Sequence, residues 1–249
     1  MFYLLSNMVK PRTLSHPPIK EAVLEVLFDF ADTSNLKFLN EYGKLILSRY
    51  SKKENIITIN ANIDQSNDNV VRNTIGYVYF TENKKTSIQT RLNGFAFAQT
   101  NESYTSWEQF KPIAFKELKS FIEFTAPLAV NRFSLRFINE IKIPSTEDLK
   151  EYLNLLPSMG TINLPMRNFV SRMELDKPDI SGLAIVSQLF SPPFNPTVNF
   201  FLDIDVIINE NPPKEVSLEY LFERFDTLRT LKNDIFFSAL TEKTIDSYS

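Results

Sequence analysis

The sequence contains no cysteine. Without thiols, the chain has no disulfide bonds, no cysteine nucleophile and no thiolate ligands for a metal ion. This composition is compatible with the reducing environment of the cytoplasm, where disulfides are rare. We therefore expect a cytoplasmic protein.

Histidine occurs once, at His16, which is followed by Pro17 and Pro18. A Ser-His-Asp triad, or a metal site with imidazole ligands, would have to use this one side chain. A lone histidine beside two prolines near the start of a chain is typical of an exposed linker. We interpret His16 as a linker residue.

Glycine is scarce, with five residues in a chain of 249, and each of the five stands alone. The sequence consequently has no GxGxxG, GxxxxGK[ST] or GxSxG motif. These motifs need closely spaced glycines, because the backbone must approach a phosphate or turn sharply there. Dinucleotide-binding folds, P-loop enzymes and enzymes with a nucleophile elbow are excluded on this ground.

An excess of charge of one sign is also lacking. The chain has 27 Lys and Arg against 30 Asp and Glu, a net charge of −3 at pH 7. Binding to a phosphate backbone needs a basic surface, so nucleic acid is not the favoured partner, although a local basic patch is compatible with this balance. No apolar run approaches the roughly 20 residues of a membrane helix, and we expect no membrane partner. The short apolar start predicts that Met8 is the natural first residue and that residues 1–7 are an upstream extension.

Apolar and aromatic side chains are abundant, with 43% hydrophobic residues and 22 phenylalanines, enough for a large packed core. Segment 19–30 alternates between apolar residues such as Leu24 and Val26 and acidic residues such as Glu25, which predicts a half-buried strand. The predicted elements of the first half are a strand at 19–30, a helix at 34–50 capped by Ser34 or Asn35, strands at 55–63, 75–81, 86–92 and 95–100, and a helix at 105–125.

Two short patterns predict details of this half. Asn93-Gly94, between the last two strands, is a dipeptide favoured in a tight type I′ hairpin, because both turn residues there have positive φ. Thr105 and Glu108 have the spacing of a capping box at the start of the second helix. Pro112 falls in the first turns of that helix, where proline is best tolerated.

The second half repeats the order strand, helix, strands, helix. Its predicted elements are a strand at 130–143, a short helix at 145–157, strands at 168–176, 181–190 and 198–208, and a helix at 217–241 with one apolar stripe. The halves share no residue-by-residue identity, so internal duplication is inferred from the order of elements alone.

This order predicts an α+β fold. Two β-α-β(3–4)-α halves, residues 17–126 and 127–249, form an antiparallel sheet covered on one face by long helices, in a single integrated domain preceded by a flexible arm at 1–16. Each strand has one apolar and one polar face, which fits one helix layer and leaves the other face solvated or in contact with a partner. The order is analogous to the TATA-binding-protein-like and helix-grip architectures, an analogy that transfers no function.

Five segments between Pro17 and Tyr248 carry a resemblance to known proteins: PPIKEAVLEVLF, LNGFAFAQTNESYTSWEQF, VNRFSLRFINEIKIP, FFLDIDV and LRTLKNDIFFSALTEKTIDSY. In this order they resemble an uncharacterised prokaryotic family described as sporadically distributed. The chain departs from the resemblance in GFAFAQ, where we expect a more polar strand end. The resemblance implies a full-length domain of unknown function and supplies no catalytic residues. Sporadic distribution is typical of accessory genes spread by horizontal transfer.

Carboxylates on two predicted strands support an enzymatic hypothesis. Glu140 and Lys142 have the ExK spacing in which a carboxylate holds Mg²⁺ and an ammonium orients water. Asp203 and Asp205 share one face of a later strand, about 7 Å apart. ExK is also common on any exposed strand face, so solvated or salt-bridged acids are the alternative. A metal-dependent hydrolase or nuclease is our second hypothesis for the function.

Aromatic residues in the first half support a binding hypothesis. A stacking platform for a flat ligand would use Arg91 and the aromatic residues Tyr77, Tyr79, Phe95, Phe97 and Trp107. Phe95 and Phe97 also have the spacing of core residues on one strand face, so a packed core is the alternative. Tyr77, Tyr79 and Arg91 are retained as candidate binding residues.

The opening strands of the two halves have complementary polar faces. The first carries Glu21, Glu25 and Asp29, and the second carries Arg132 and Arg136. If the halves join through these strands, cross-strand ion pairs line the junction. Exposed pairs contribute only about 0–1 kcal/mol each, so they set register more than stability. The two arginines are also candidate binding residues.

Our first hypothesis for the function is a non-enzymatic binding or interaction module. It would use the open sheet face, or the groove between sheet and helices, to bind an unknown protein or a small ligand. A third hypothesis is a small-ligand-binding protein with a pocket between sheet and helices. We predict no cofactor, we assign no metal site beyond the candidate carboxylates named above, and the sequence leaves the oligomeric state open.

Overall fold

The computed structural model describes residues 12–31, 36–64, 67–145, 147–158, 160–161, 166–190 and 197–249. The strands in this part of the chain are β1 (Ile19–Asp29), β2 (Lys52–Asp64), β3 (Asn67–Phe80), β4 (Thr86–Arg91), β5 (Gly94–Thr100), β6 (Ala129–Pro144), β7 (Phe169–Lys177), β8 (Gly182–Phe190) and β9 (Thr197–Lys214). The helices are α1 (Leu36–Ile46), α2 (Trp107–Thr125), α3 (Leu218–Ala239) and α4 (Glu242–Asp246), with 3₁₀ helices at Leu149–Glu151 and Pro178–Ile180.

Within the described residues the nine strands form one antiparallel sheet, in the order β2-β3-β4-β5-β1-β6-β9-β8-β7. The outermost strands are therefore β2 and β7, and β1 and β6 are neighbours near the middle. The predicted α+β class with an antiparallel sheet is confirmed. No helix in these residues is both long and apolar enough to cross a membrane.

Internal contacts group the chain into two compact units. The terminal unit comprises Met1–Ala22, Ser134–Ile208 and Leu221–Ser249, and the central unit comprises Val23–Phe133 and Asn209–Tyr220. Contact grouping does not test common descent, so the division into 17–126 and 127–249 and the flexible arm at 1–16 stay predictions. The expectation about residues 1–7 and the predicted caps Ser34 and Asn35 lie outside the described residues.

In the central unit, α1 approaches the sheet closely at Gly43. A Cβ atom at this position would lie 2.0 Å from the hydroxyl oxygen of Tyr79 on β3, so only glycine lets the helix pack against this ring. The Tyr79 hydroxyl donates a hydrogen bond to the carbonyl of Leu39 at 3.5 Å. These contacts cover the sheet face that carries Tyr79.

The core of the central unit is aromatic and is centred on Phe121 of α2. Its ring lies 5.3 Å from that of Tyr42, 5.2 Å from that of Phe95 and 6.3 Å from that of Phe28, between ring centroids. Phe28 and Phe95 belong to β1 and β5, so α2 packs on the same sheet face as their buried residues. In each unit we call the sheet face on which the helices pack the inner face, and the opposite face the outer face.

The start of α2 differs from the predicted capping box. Ser106, rather than Thr105, is the N-cap residue, and its hydroxyl accepts a hydrogen bond from the backbone N–H of Gln109 at 3.3 Å. The Thr105 hydroxyl instead donates to the side-chain oxygen of Gln109 at 2.7 Å. The predicted pairing of Thr105 with Glu108 is wrong, because the adjacent serine supplies the cap.

The predicted hairpin between β4 and β5 is present, but its turn is different. Arg91 pairs with Gly94, so Leu92 and Asn93 are the turn residues. Neither Asn93 nor Gly94 has positive φ, and the predicted type I′ turn is therefore wrong. Glycine is needed at position 94 for close approach, since a Cβ atom there would lie 2.5 Å from the carbonyl oxygen of Val26 on β1.

In the terminal unit, α3 packs on the inner face of β6. Leu228 and Phe236 of α3 are buried, as are Leu135 and Phe137 of β6. The Lys232 ammonium lies 4.2 Å from the ring centroid of Phe137. The predicted helix at 217–241 thus agrees with α3 and its buried stripe.

The predicted helix at 145–157 is wrong. In the described part of this segment the helical residues are the 3₁₀ helix Leu149–Glu151. Leu153 forms a β-bridge with Leu240, just after α3, and the Asn154 N–H donates to the Ala239 carbonyl at 2.9 Å. These tertiary hydrogen bonds hold the backbone out of helical geometry and supply the partners that a helix would otherwise give it.

Candidate functional site

The outer face of the terminal unit carries a row of apolar side chains. Val170 of β7 stands opposite Leu189 of β8, and Leu189 stands opposite Phe201 of β9. Their neighbours Phe190 and Phe200 are buried on the inner face. Side chains alternate between the two faces of a strand, so the three residues form one row across three strands. We call Val170, Leu189 and Phe201 the apolar row.

Much of the apolar row is open to solvent. Val170 is 78% exposed, Leu189 is 42% exposed, and Phe201 is half-buried. Neighbouring exposed apolar side chains on a sheet face mark contact surfaces. Sequence reasoning missed this row, and its signal was in β8. The outer face of β8, which we expected to be polar, carries Leu183, Ile185 and Leu189. The expectation of one polar face per strand is therefore wrong for β8.

A charged cluster lies on the same outer face. Arg136 of β6 donates from Nε and Nη2 to the two carboxylate oxygens of Asp203 on β9, at 2.8 and 2.6 Å. This bidentate geometry is the strong form of an arginine–carboxylate pair. Asp205 and Glu21 also interact electrostatically with Arg136. We call these four residues the Arg136 cluster.

Carboxylates outnumber cations in the Arg136 cluster. Burial raises the pKa of Glu21 above its usual value, Arg136 opposes this rise, and Asp203 adds to it. The hydrogen bond from Arg136 to Asp203 raises the pKa of the guanidinium still further, so Arg136 remains charged. The patch thus combines the paired Asp203 and Arg136 with two further carboxylates, Glu21 and Asp205.

In the central unit the arrangement of charges is reversed. Glu25 of β1 pairs with Arg91 of β4 and, at 3.3 Å, with Arg132 of β6. β5 lies between β4 and β1, so the Arg91–Glu25 pair spans roughly 10 Å across an intervening strand. On the outer face of β5, Gly94 stands opposite Arg91 and the next residue is Ala96, so small residues lie along the path of this pair. We call Glu25, Arg91 and Arg132 the Glu25 cluster.

The predicted ion pairs between the opening strands are confirmed for Arg132, which pairs with Glu25. Asp29 instead accepts a hydrogen bond from the side chain of Asn131 at 2.6 Å. Arg136 finds its main partner on β9 rather than on β1, because β6 has a neighbouring strand on each side.

The candidate metal-binding residues do not converge. Glu140 pairs with Lys20 at 2.9 Å, Lys142 is exposed, and Asp203 is held by Arg136. Glu140 is four residues from Arg136 along β6, about 13 Å of strand. Within the described residues, no three His, Cys, Asp or Glu side chains are grouped as a metal site would need. The salt-bridged alternative therefore describes Glu140 and Asp203.

The candidate stacking platform is part of the core. Tyr79, Phe95, Phe97 and Trp107 are buried, because α1 and α2 pack over that face of the sheet. They offer no open ring to a ligand, which corrects the candidate role of Tyr79. Tyr77 is half-buried, and the Lys53 ammonium lies 3.6 Å from its ring centroid. A cation therefore already lies over the Tyr77 ring.

His16 is exposed, as the linker interpretation expects, and its backbone N–H donates to the carbonyl of Tyr248 at 3.1 Å. Arg91, Arg132 and Arg136, the three candidate binding arginines, are all ion-paired on the outer face. Comparison with protein-family models and with curated proteins found no match to this chain.

Proposed function

We propose that the protein is a non-enzymatic binding module, and that the outer face of its terminal unit binds a protein partner. The observation that carries this proposal is the apolar row of Val170, Leu189 and Phe201, two of which are substantially exposed. Covering apolar surface releases it from water, at about 25 cal/mol per Å². A partner that covers the apolar row gains this free energy of burial, and the sheet does not need to rearrange.

The Arg136 cluster indicates the chemistry of the partner. Phe201 and Asp203 are two residues apart on β9, so they share a face at a separation of about 7 Å. A partner segment that presents apolar side chains beside lysine or arginine would match the row and the carboxylates together. We do not favour nucleic acid as the partner, because Glu21, Asp203 and Asp205 stand where its phosphates would approach.

The ion pairs of the outer face support binding rather than catalysis. A metal-dependent hydrolase would need Asp203 to leave its bidentate contact with Arg136, and Glu140 to leave Lys20. A general base or a metal ligand must present a lone pair to its target. On this surface, Asp203 and Glu140 present theirs to cations of the chain itself.

Site-specific photocrosslinking tests the proposal. A photoreactive phenylalanine analogue replaces Leu189 in the full chain, expressed in the native host, and adducts are identified by mass spectrometry. Ile113 on α2 is the matched control position, since it is also 42% exposed and apolar but lies on a helix of the central unit. We expect a defined protein adduct from position 189 and none from position 113. No adduct at 189, or the same adducts at both positions, would contradict the proposal.

A second candidate function, small-ligand binding between sheet and helices, is favoured by Lys232. Its ammonium lies between α3 and β6, and burial lowers its pKa to about 7, with Arg229 adding to the effect. Ligand sites use a few such polar groups in apolar surroundings. Native mass spectrometry of the purified protein would then show a small-molecule adduct that Lys232→Met loses. A wild-type spectrum free of adducts argues against this candidate.

We also propose that the chain arose by duplication, with a fold analogous to the TATA-binding-protein-like and helix-grip architectures. Support comes from the strand order, in which each half runs outward from its first strand to its last and then backward: β1-β5-β4-β3-β2 and β6-β9-β8-β7. Superposition of 17–126 on 127–249 in a crystal structure checks this idea. Equivalent strands should coincide in that order. Membership of the sporadically distributed prokaryotic family and a cytoplasmic location remain part of the proposal.

A further inference from the structure

We propose that two copies of this chain associate through β7, antiparallel to each other, around a two-fold axis at Met173. β7 is the outermost strand on its side of the sheet, and in the described residues its strand partner is β8. An outermost strand presents a row of backbone N–H and C=O groups to whatever lies beside it. A second copy of the same strand satisfies these groups by continuing the sheet.

The charges of β7 are complementary to themselves. With Met173 on the axis, Arg172 stands opposite Glu174 of the second copy, and Glu174 stands opposite its Arg172. The symmetry therefore forms two Arg–Glu pairs at once on the outer face. Both side chains are exposed, and within one chain they already contact each other along the strand. On association, each side chain replaces its contact within the chain by an equivalent contact with the second copy. The dimer also gains cross-strand pairs between the two copies of β7.

Neighbouring registers are disfavoured by the same charges. An axis at Arg172 places arginine opposite arginine, and an axis at Glu174 places glutamate opposite glutamate. A shift by a single residue places outer-face side chains opposite inner-face ones. Of these arrangements, the axis at Met173 is the one that pairs opposite charges and keeps both faces in phase.

The inner face of β7 also has apolar surface for a second copy to cover. Leu175 stands opposite Ala184, which is buried on the inner face, yet Leu175 is 45% exposed. Met173 is half-buried on the same face. In the proposed dimer, Met173 meets Met173 of the second copy and Leu175 meets its Ser171. The apolar side chains on the inner face of β7 in one copy thereby pack against those of the second copy.

The proposal does not rest on the proposed function, because backbone pairing along β7 and its charged residues carry it, whereas Leu189 and Phe201 of the apolar row lie on β8 and β9. β7 has nine residues, so the buried area lies at the lower end of stable interfaces, and we expect a weak, concentration-dependent dimer. The competing explanation is that charges on β7 keep an edge strand from pairing at all. The two explanations give opposite results on charge reversal.

Sedimentation velocity of the full chain, from about 1 to about 500 µM, tests the dimer in a range suited to a small interface. Wild type should pass from monomer to dimer. Arg172→Glu, and separately Glu174→Arg, place like charges opposite each other and should weaken association about tenfold or more. The double variant Arg172→Glu/Glu174→Arg restores the opposite-charge pairs and should restore the dimer.

Lys116→Glu is the matched control, since Lys116 is exposed and lies on α2 in the central unit. It makes the same charge change outside the strand and should leave association unchanged. Circular dichroism verifies that each variant is folded. A wild-type protein that stays monomeric throughout would overturn the proposal. So would a dimer that both single reversals leave intact, or one that the double variant does not restore.

Discussion

The central unit and the terminal unit differ in how they handle charges that are taken out of water. In the central unit, the buried carboxylate of Glu117 accepts hydrogen bonds from Nε and Nη2 of Arg49, at 3.2 and 2.8 Å. Glu25 likewise lies between two arginines. Each of these carboxylates therefore has a cation within contact distance, so its charge is compensated where it is buried.

The terminal unit takes a cation, rather than a carboxylate, out of water. The buried ammonium of Lys232 lies over the ring of Phe137, and Arg136 is held by Asp203 on the outer face. An aromatic ring offsets only part of the cost of burying a cation. Protein surfaces that are retained for binding often cost stability in this way. The contrast teaches that the two units remove charges from water by different means, an arginine contact in the central unit and an aromatic ring in the terminal unit.

Of the substitutions that test this comparison between the units, we expect the largest change in stability from one in the central unit. Glu117→Gln removes the bidentate acceptor of Arg49 and should lower the free energy of unfolding by about 2–3 kcal/mol, less than for a fully buried pair because Arg49 is partly solvated. Urea unfolding followed by circular dichroism measures it. Glu123→Gln, an exposed pair with Lys119 on the same helix, should cost less than about 0.5 kcal/mol. Equal losses would break the comparison.

In the terminal unit, Lys232→Met should raise the free energy of unfolding rather than lower it. The pKa of Lys232 is lowered to about 7 by burial, while the unfolded chain holds this proton up to about pH 10.4. Wild-type stability should therefore rise as pH increases from about 7, because the unfolded state then binds more protons than the folded state. The methionine variant should lose this slope and gain about 2 kcal/mol at pH 7 and below.

Urea unfolding at pH 6, 7, 8 and 9 measures this slope. Lys116→Met, an exposed lysine on α2, is the control and should leave the pH dependence unchanged. A Lys232→Met protein that is less stable than wild type at pH 7 would show that the ammonium is fully compensated in the folded chain.

For the Glu25 cluster and the Arg136 cluster we expect a smaller difference in the loss of stability on substitution. Glu25→Gln leaves Arg91 and Arg132 facing each other without the carboxylate between them, and should cost about 1–2 kcal/mol. Asp203→Asn leaves Arg136 with Glu21 and Asp205 nearby and should cost less than about 1 kcal/mol. Parallel urea titrations compare the two. A larger loss for Asp203→Asn would reverse the assignment of roles to the clusters.

The smallest expected effect is a gain from Glu21→Gln. The pKa of Glu21 is raised, chiefly by burial, so the folded state keeps this proton to higher pH than the unfolded state does. Wild-type stability consequently falls as pH rises through the folded pKa. The variant should be slightly more stable than wild type at pH 7, by less than about 1 kcal/mol because the group is about half solvated. At pH 4 and below, the advantage should disappear, and thermal unfolding at the two pH values checks it.

Helices and strands in which buried and exposed side chains alternate with the helical or strand period could be predicted from the sequence. β1 follows from the alternation of apolar and acidic residues in 19–30, and α3 follows from its apolar stripe, because each pattern directly reflects which side chains are buried. The pairing of Arg132 with Glu25 followed from complementary faces. These features depend on local sequence and on one contact between strands.

Features decided by distant partners could not be predicted. The segment at 145–157 has a helical pattern, yet its backbone bonds to Ala239 and Leu240 after α3. Arg136 could be placed on the outer face, but the choice of Asp203 over Glu21 depends on which strand lies on the other side of β6. The apolar row was visible in β8 as apolar residues in both phases. Its alignment with Val170 and Phe201 required the register.

The bridge from Arg91 over β5 to Glu25 has a consequence for folding fidelity. It crosses the outer face of β5, which carries Gly94 opposite Arg91 and then Ala96, and the inner-face residues that alternate with them are Phe95 and Phe97. A slip of β5 by one residue would turn a phenylalanine ring to the outer face and block the salt bridge. The ion pair is therefore compatible only with the register in which the small residues of β5 lie on the outer face.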